Sequence, residues 1–346
     1  MSDRVHPGAL VLVTAALACA PGPDPDGAAT FESVFQLVGM IELEESGDDP
    51  IVAIEQVGRR TGGGFILTDE ASGRVRLFDS AGRLERVIGR PGDGPGELEG
   101  PTGAAETEDG RVLVVQRANP RVSVFTEGDS TLIGRLPGQY GFWADRVGDR
   151  IVAGVGSRTE RFALLTNGGQ PVASFGRVDP SVVETPFWIF FASENAAVVG
   201  NEIAINTSFF PRIRFFDANG DSVRTVGVPP PSWIQPMAPP VDGLSQAAAR
   251  ERIDEWSRGF TVVRDIAAIQ DSLVVVGYGR HAPVDRQPYR VLPYALDVYS
   301  RGGAKLAEDV EQTRPIVGGG AQLIVLAAEP PAPWTLAIYE WRGGGG

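Results

Sequence analysis

The chain has 346 residues, 42% of them hydrophobic, and carries a formal charge of −13. That balance supports a sizeable core, and with no concentrated basic patch it excludes the phosphate backbone of nucleic acid as a partner; Lys305 is the only lysine among otherwise Arg-based cations. A lone cysteine, Cys19, excludes an intrachain disulfide and a cysteine-based metal cluster.

Residues 1–19 read as an export signal. Arg4 precedes a ten-residue largely apolar stretch, Ala9–Ala18, too short to span a bilayer but the length of a signal h-region. The ending "ALAC" resembles the lipobox of bacterial lipoproteins, which implies a lipidated Cys19; simple signal cleavage and a buried N-terminal helix are the other readings. Residues 20–30, rich in Pro, Gly and Asp, form a tether. No later apolar run has membrane length, so the expected membrane attachment is through a lipid anchor alone, on a periplasmic or cell-surface monomer.

From residue 31 the chain repeats itself. "GGFILTDEASGRVRLFDSAGRLERVIG" (63–89) alternates apolar and polar residues through three runs separated by turn signals, the pattern of three antiparallel strands. The same grammar returns at 109–134, 148–176 and 200–227, then from "DSLVVVGYGR" to "YALDVYSRGGAKLAEDV", and finally in "GAQLIVLAAEPPAPWTLAIYEW". A short apolar run before each copy supplies a fourth strand. A sheet of four strands buries neither face alone, so neighbours stack, and radial stacking closes a ring. The sixth copy stops after three strands, while "FQLVGMIEL" (35–43) is a strand without a blade. The expected fold is therefore all-β: a six-bladed β-propeller of four-stranded antiparallel blades over 31–342, closed by an N-terminal strand, with a helical insertion (228–259) between blades 4 and 5 and a glycine tail at 343–346.

The segment "DEASGRVRLFDSAGRLERVIGRPGDGPGELEGPTG" resembles the NHL-type six-bladed propeller repeat. The resemblance implies the fold and, with the lipobox, a bacterial envelope setting, but no single activity. Within it, "GRPGDGPGELEGPTG" (89–103) has neither the Lys-Ser/Thr of a phosphate loop nor a following helix. It reads as a joint between blades, with Gly92, Gly94 and Gly96 supplying positive φ and Glu97 accepting backbone N–H groups.

Strand alternation places the longest links, 89–100, 176–195, 228–259 and 277–290, on one face. Candidate partner-binding residues there are Trp188, Trp233, Trp256, Arg280, His281, Asp285 and Tyr289. The insertion joins a proline-rich rope to "LSQAAARERIDEWSR", a helix capped by Asp242 or Ser245, with Ala248, Ile253 and Trp256 on its packed side. His281 is the only histidine after the signal, which excludes paired-His metal sites, and no Gly-x-Ser-x-Gly elbow is present. "DANGD" (217–221) lacks the spacing of a calcium loop and reads as a hairpin turn.

The expectation is a non-catalytic envelope propeller that needs no cofactor and recognises a protein, peptide or glycan on its loop-rich face. The alternative is a gluconolactonase-like hydrolase with one divalent metal in the central channel, for which Glu106, Asn195 and Asp265 lie near inner strands without completing a motif.

Overall fold

The computed structural model describes residues 29–343, apart from 118–120, 129, 137, 139–140, 158, 178–193, 208–209, 228, 235–242, 246, 249–250, 253–260 and 281–293. Strand β1 (Phe35–Glu42) stands apart from the first blade, which comprises β2 (Gln56–Arg59), β3 (Phe65–Asp69), β4 (Arg74–Phe78) and β5 (Leu84–Ile88). Blade 2 follows with β6 (Pro101–Glu106), β7 (Val112–Gln116), β8 (Arg121–Phe125) and β9 (Ser130–Arg135). Blade 3 has β10 (Trp143–Val147), β11 (Arg150–Gly154), β12 (Glu160–Leu165) and β13 (Pro171–Arg177). Blade 4 has β14 (Glu194–Val199), β15 (Glu202–Thr207), β16 (Phe210–Asp217) and β17 (Ser222–Val226). Blade 5 has β18 (Thr261–Ile269), β19 (Leu273–Arg280), β20 (Tyr294–Ser300) and β21 (Lys305–Gln312). Blade 6 takes β22 (Ile316–Gly318), β23 (Leu323–Ala328) and β24 (Thr335–Trp341), and its outer strand is β1.

The first strands of the blades touch one another in sequence, β2 to β6 to β10 to β14 to β18 to β22 and back to β2, which closes the ring around an axis. Every blade pair encloses one apolar cluster, six clusters for six interfaces. Alternation along a strand divides its side chains between two neighbours: in β11, Ile151 and Ala153 join the cluster shared with blade 2, whereas Val152 joins the one shared with blade 4. Burial on both faces explains why middle strands such as "VLVVQ" are apolar without a break.

The ring closes as the sequence predicts. β1 pairs antiparallel with β24, from Phe35 opposite Trp341 to Glu42 opposite Thr335. A short helix unanticipated in the sequence, α1 (Phe31–Val34), precedes it, capped by Thr30 Oγ1 accepting from Ser33 N at 3.3 Å. Phe31 stacks on Phe35 at 4.9 Å and meets Tyr339 edge-on, so closure buries an aromatic cluster between blades 5 and 6.

The segment from β1 to blade 1 is tied down by charge. Arg76, 1% exposed, donates to Asp69 Oδ2 and Asp49 Oδ1, both at 2.8 Å, and to Pro50 O at 2.9 Å. Asp69 also accepts from Val52 N at 2.8 Å and Ala53 N at 3.2 Å. Trp334, from blade 6, donates its indole N–H to Ile51 O at 3.1 Å.

Turn chemistry repeats with the blades. Asp79 Oδ1 accepts from Ala81 N and Arg83 N at 2.8 and 2.9 Å, and Asp217 Oδ1 accepts from Asn219 N and Asp221 N at 2.8 and 3.0 Å. "DANGD" is thus a turn, and backbone N–H groups hold the Asp217 carboxyl below its usual range. The glycine-rich 89–103 stretch is the joint between blades 1 and 2. Gly92 and Gly96 take φ of 145° and 76°, Gly94 does not, and Gly94 N donates to Glu97 Oε2 at 2.9 Å. A Cβ on Gly92 would lie 2.2 Å from that same oxygen, so only glycine admits the Glu97 carboxylate.

Candidate functional site: the central channel

Antiparallel alternation defines two faces. Links between blades, and those between second and third strands, leave on one; the remaining hairpins lie on the other. The links 89–100, 178–193, 227–260 and 281–293 all leave on the first, as expected. Of the residues predicted to bind there, Trp188, Trp256, His281, Asp285 and Tyr289 lie outside the described residues, as does Cys19. Arg280 is the last residue of β19, at this face.

Trp233 is described, and it packs. Its ring meets Tyr278 at 6.1 Å and 64° beside the cluster between blades 4 and 5. Around it the start of the insertion is pinned to blade 5: Ser232 N donates to Asp309 Oδ2 at 3.3 Å, and Ile234 N to Thr261 Oγ1 at 3.0 Å. Further on, Ala247, Ala248, Glu251 and Arg252 are helical, and Ser245 Oγ accepts from Ala248 N at 3.4 Å, the predicted cap. Ala248 is exposed rather than packed.

A cavity of about 800 Å³ follows the ring axis. Every first hairpin contributes to its rim on the hairpin face: Thr61, Glu108, Gly148, Asn201, Asp271 and Gly319, one from each blade. On the loop-rich face the contributors are Ile54, Glu55 and Pro315. The hairpin carrying Asp271 is built without glycine although Gln270 and Asp271 have φ of 54° and 52°, a conformation that costs L-residues of order 1 kcal/mol each. Gln270 N donating to Gly320 O at 2.8 Å holds it against blade 6.

The three residues named for a metal sit on three different blades. Glu106 is taken up by blade 1, accepting from Arg60 Nη2 at 3.2 Å and from Thr61 N at 2.8 Å. Asn195 and Asp265 line the channel on adjacent blades, where Asn195 Nδ2 donates to Val263 O at 3.5 Å. That carbonyl precedes a β-bulge in β18 at Arg264, which lets two consecutive residues, Arg264 and Asp265, both line the cavity. Among the described residues no group of three His, Cys, Asp or Glu side chains is placed to hold a metal. The wall tightens between blades 1 and 3, where Gln56 Nε2 donates to Ala144 O at 2.6 Å past Gly103.

Among the charged residues of the channel that the sequence reading did not single out are Asp145 and Arg59. Asp145, on β10, accepts from Arg146 N at 2.8 Å, while the Arg146 guanidinium turns away to Glu108 at 2.7 Å. Burial raises the Asp145 carboxyl to about 6, against the lowering effect of the Arg146 backbone N–H, the Arg146 charge and Val198. Arg59, at the end of β2, lies over Phe65 with its guanidinium carbon 4.8 Å from the ring centroid, and its Nη2 donates to Gln322 Oε1 at 3.2 Å. Its Nε is buried without a partner, and burial lowers its pKa.

A carboxyl raised in the folded state adds stability below its unfolded value and loses it as pH rises through its folded value. Asp145→Asn is therefore expected to stabilise the protein by about 1–3 kcal/mol at pH 8, a gain shrinking to a fraction of that at pH 4. Chemical unfolding at the two pH values measures it; an equal effect at both would mean that the charge is not penalised.

The fold defines the class: this is a six-bladed β-propeller with a polar central channel. The comparisons agree. A family profile described as a 6-bladed beta-propeller matches residues 24–125. No curated protein matches the sequence. Among solved structures, a Bacteroides fragilis protein described as exported is similar at a TM-score of 0.60 and 10% identity, covering 91% of this chain and 97% of its own. A DUF4221-family member from Bacteroides vulgatus reaches 0.63 at 10% identity, with 89% and 98% covered. Virginiamycin B lyase from Staphylococcus aureus with quinupristin reaches 0.52 at 9% identity, with 86% and 82% covered. At such identities the likeness shows the fold alone. No helix among the described residues is long and apolar enough to cross a membrane.

Proposed function

We propose that this chain is an exported propeller of NHL type, anchored to a bacterial membrane through Cys19, whose task is to bind a protein, peptide or glycan on its loop-rich face. The observation that carries the reading is that five links of ten or more residues, 43–55 among them, leave the ring on one face, one of them pinned at its start by Trp233 and Ser232. Binding surfaces concentrate on loops held by a rigid scaffold. Export finds support in the fold shared with a protein described as exported.

The test uses the chain expressed with its own signal in a bacterium, then purified and applied to arrays of envelope glycans and peptides. Replacing residues 235–258 by a short Gly/Ser loop, which spares the pinned segment 229–234, is expected to keep the melting midpoint and to weaken capture by about tenfold or more. Cys19→Ser is expected to move the protein out of the membrane fraction. Undiminished capture by the loop variant, or lactone turnover on adding a divalent metal, would replace this reading with a channel-centred one.

A further inference from the structure

The ring places two unspent charges of opposite sign on the wall of one cavity. Among the described residues Asp145, from blade 3, accepts from backbone N–H groups and makes no ion pair, since the guanidinium beside it in sequence is committed to Glu108. Among them Arg59, from blade 1, also makes no ion pair; its guanidinium donates to the neutral amide of Gln322. Other charges of this wall are spent within the protein, Arg60 on Glu85 and Glu106, and Arg146 on Glu108.

Both side chains are half-buried, and a charge partly withdrawn from water without a counter-charge carries a cost that a ligand of opposite charge can offset. A net-anionic or net-cationic ligand would satisfy one and leave the other. A ligand bearing both an ammonium and a carboxylate would satisfy both, and about 800 Å³ is within the range of small-molecule sites.

We propose that the central channel, entered from the hairpin face, binds a zwitterionic small molecule of the amino-acid or short-peptide class, its carboxylate on Arg59 and its ammonium on Asp145. This site is distinct from the loop-rich face and does not depend on the partner proposed there. Arg59, which lines the channel, serves as a charge-assisted donor through its guanidinium, and Asp145 as a charge-assisted acceptor. The raised Asp145 carboxyl agrees with a group that lacks a cation until the ligand brings one. Asn195 and the bulge residues Arg264 and Asp265 add hydrogen-bonding wall between blades 4 and 5.

The probes are glycylglycine, its N-acetyl derivative lacking the ammonium and its C-terminal amide lacking the carboxylate, titrated into the full folded chain at pH 7.5 by calorimetry and ligand-observed NMR. Glycylglycine is expected to bind, and each blocked form to bind at least about tenfold more weakly. Arg59→Gln should erase discrimination against the amide, and Asp145→Asn should erase discrimination against the N-acetyl form, each leaving the other preference in place. Asp145→Asn conserves volume, Arg59→Gln shortens the side chain that lies over Phe65, and thermal unfolding of each variant without ligand verifies the fold. Equal binding of all three probes, no binding of glycylglycine at millimolar concentration, or unchanged discrimination in folded variants would overturn the proposal.

Discussion

Deleting residues 29–42 should abolish cooperative unfolding, or lower its midpoint by far more than any single substitution in a blade. The segment buries Phe31, Val34 and Phe35 between blades 5 and 6. Three such side chains stabilise by roughly 5–8 kcal/mol on transfer terms alone, against a total stability of about 5–15 kcal/mol for a typical protein. Deletion also strips β24 of its outer partner, leaving an unpaired edge from Thr335 to Trp341. Calorimetry on the truncated chain decides it: an unchanged midpoint would mean that the ring is held by the blade interfaces alone.

Arg76→Ala is expected to cost about 3–5 kcal/mol, because it leaves Asp69 charged, fully buried and without a cation. Denaturant unfolding gives the value. Replacing both partners with apolar residues often recovers stability at buried ion pairs. Here the double variant Arg76→Met with Asp69→Leu is expected to remain destabilised, since Val52 N and Ala53 N lose their acceptor and the segment entering blade 1 comes loose. Full recovery in the double variant would show that the backbone bonds carry nothing.

The fold was legible because it is written locally and repeatedly. Alternation along "FILTD" and "RVRLF", the Asp-based turn after Phe78 and the same turn after Phe216 are short-range signals, each with its own physical cause. The closing strand was found by arithmetic: a sixth unit short of one strand, and a strand at Phe35–Glu42 short of a blade. The channel was less legible. Asp145 and Arg59 sit in ordinary strand sequence, and what sets them apart is the absence, among the described residues, of a counter-charge supplied by other blades. Glu106 looked available for the converse reason, since its partners Arg60 and Thr61 belong to the preceding blade. The bulge at Arg264 leaves no mark in composition.

The closing strand also sets a timetable for the chain. Phe35–Glu42 emerges before any blade, and its partner β24 ends at Trp341, so the pairing that completes the ring waits for all six blades. Until then Leu37, Val38 and Met40, which stay 43–55% exposed even in the finished ring, have only solvent or a foreign strand to face. Pairings so distant in sequence form late and slowly. A chain interrupted anywhere before Thr335 offers β1 no partner at all, so an unfinished copy keeps an open edge that the finished ring has closed.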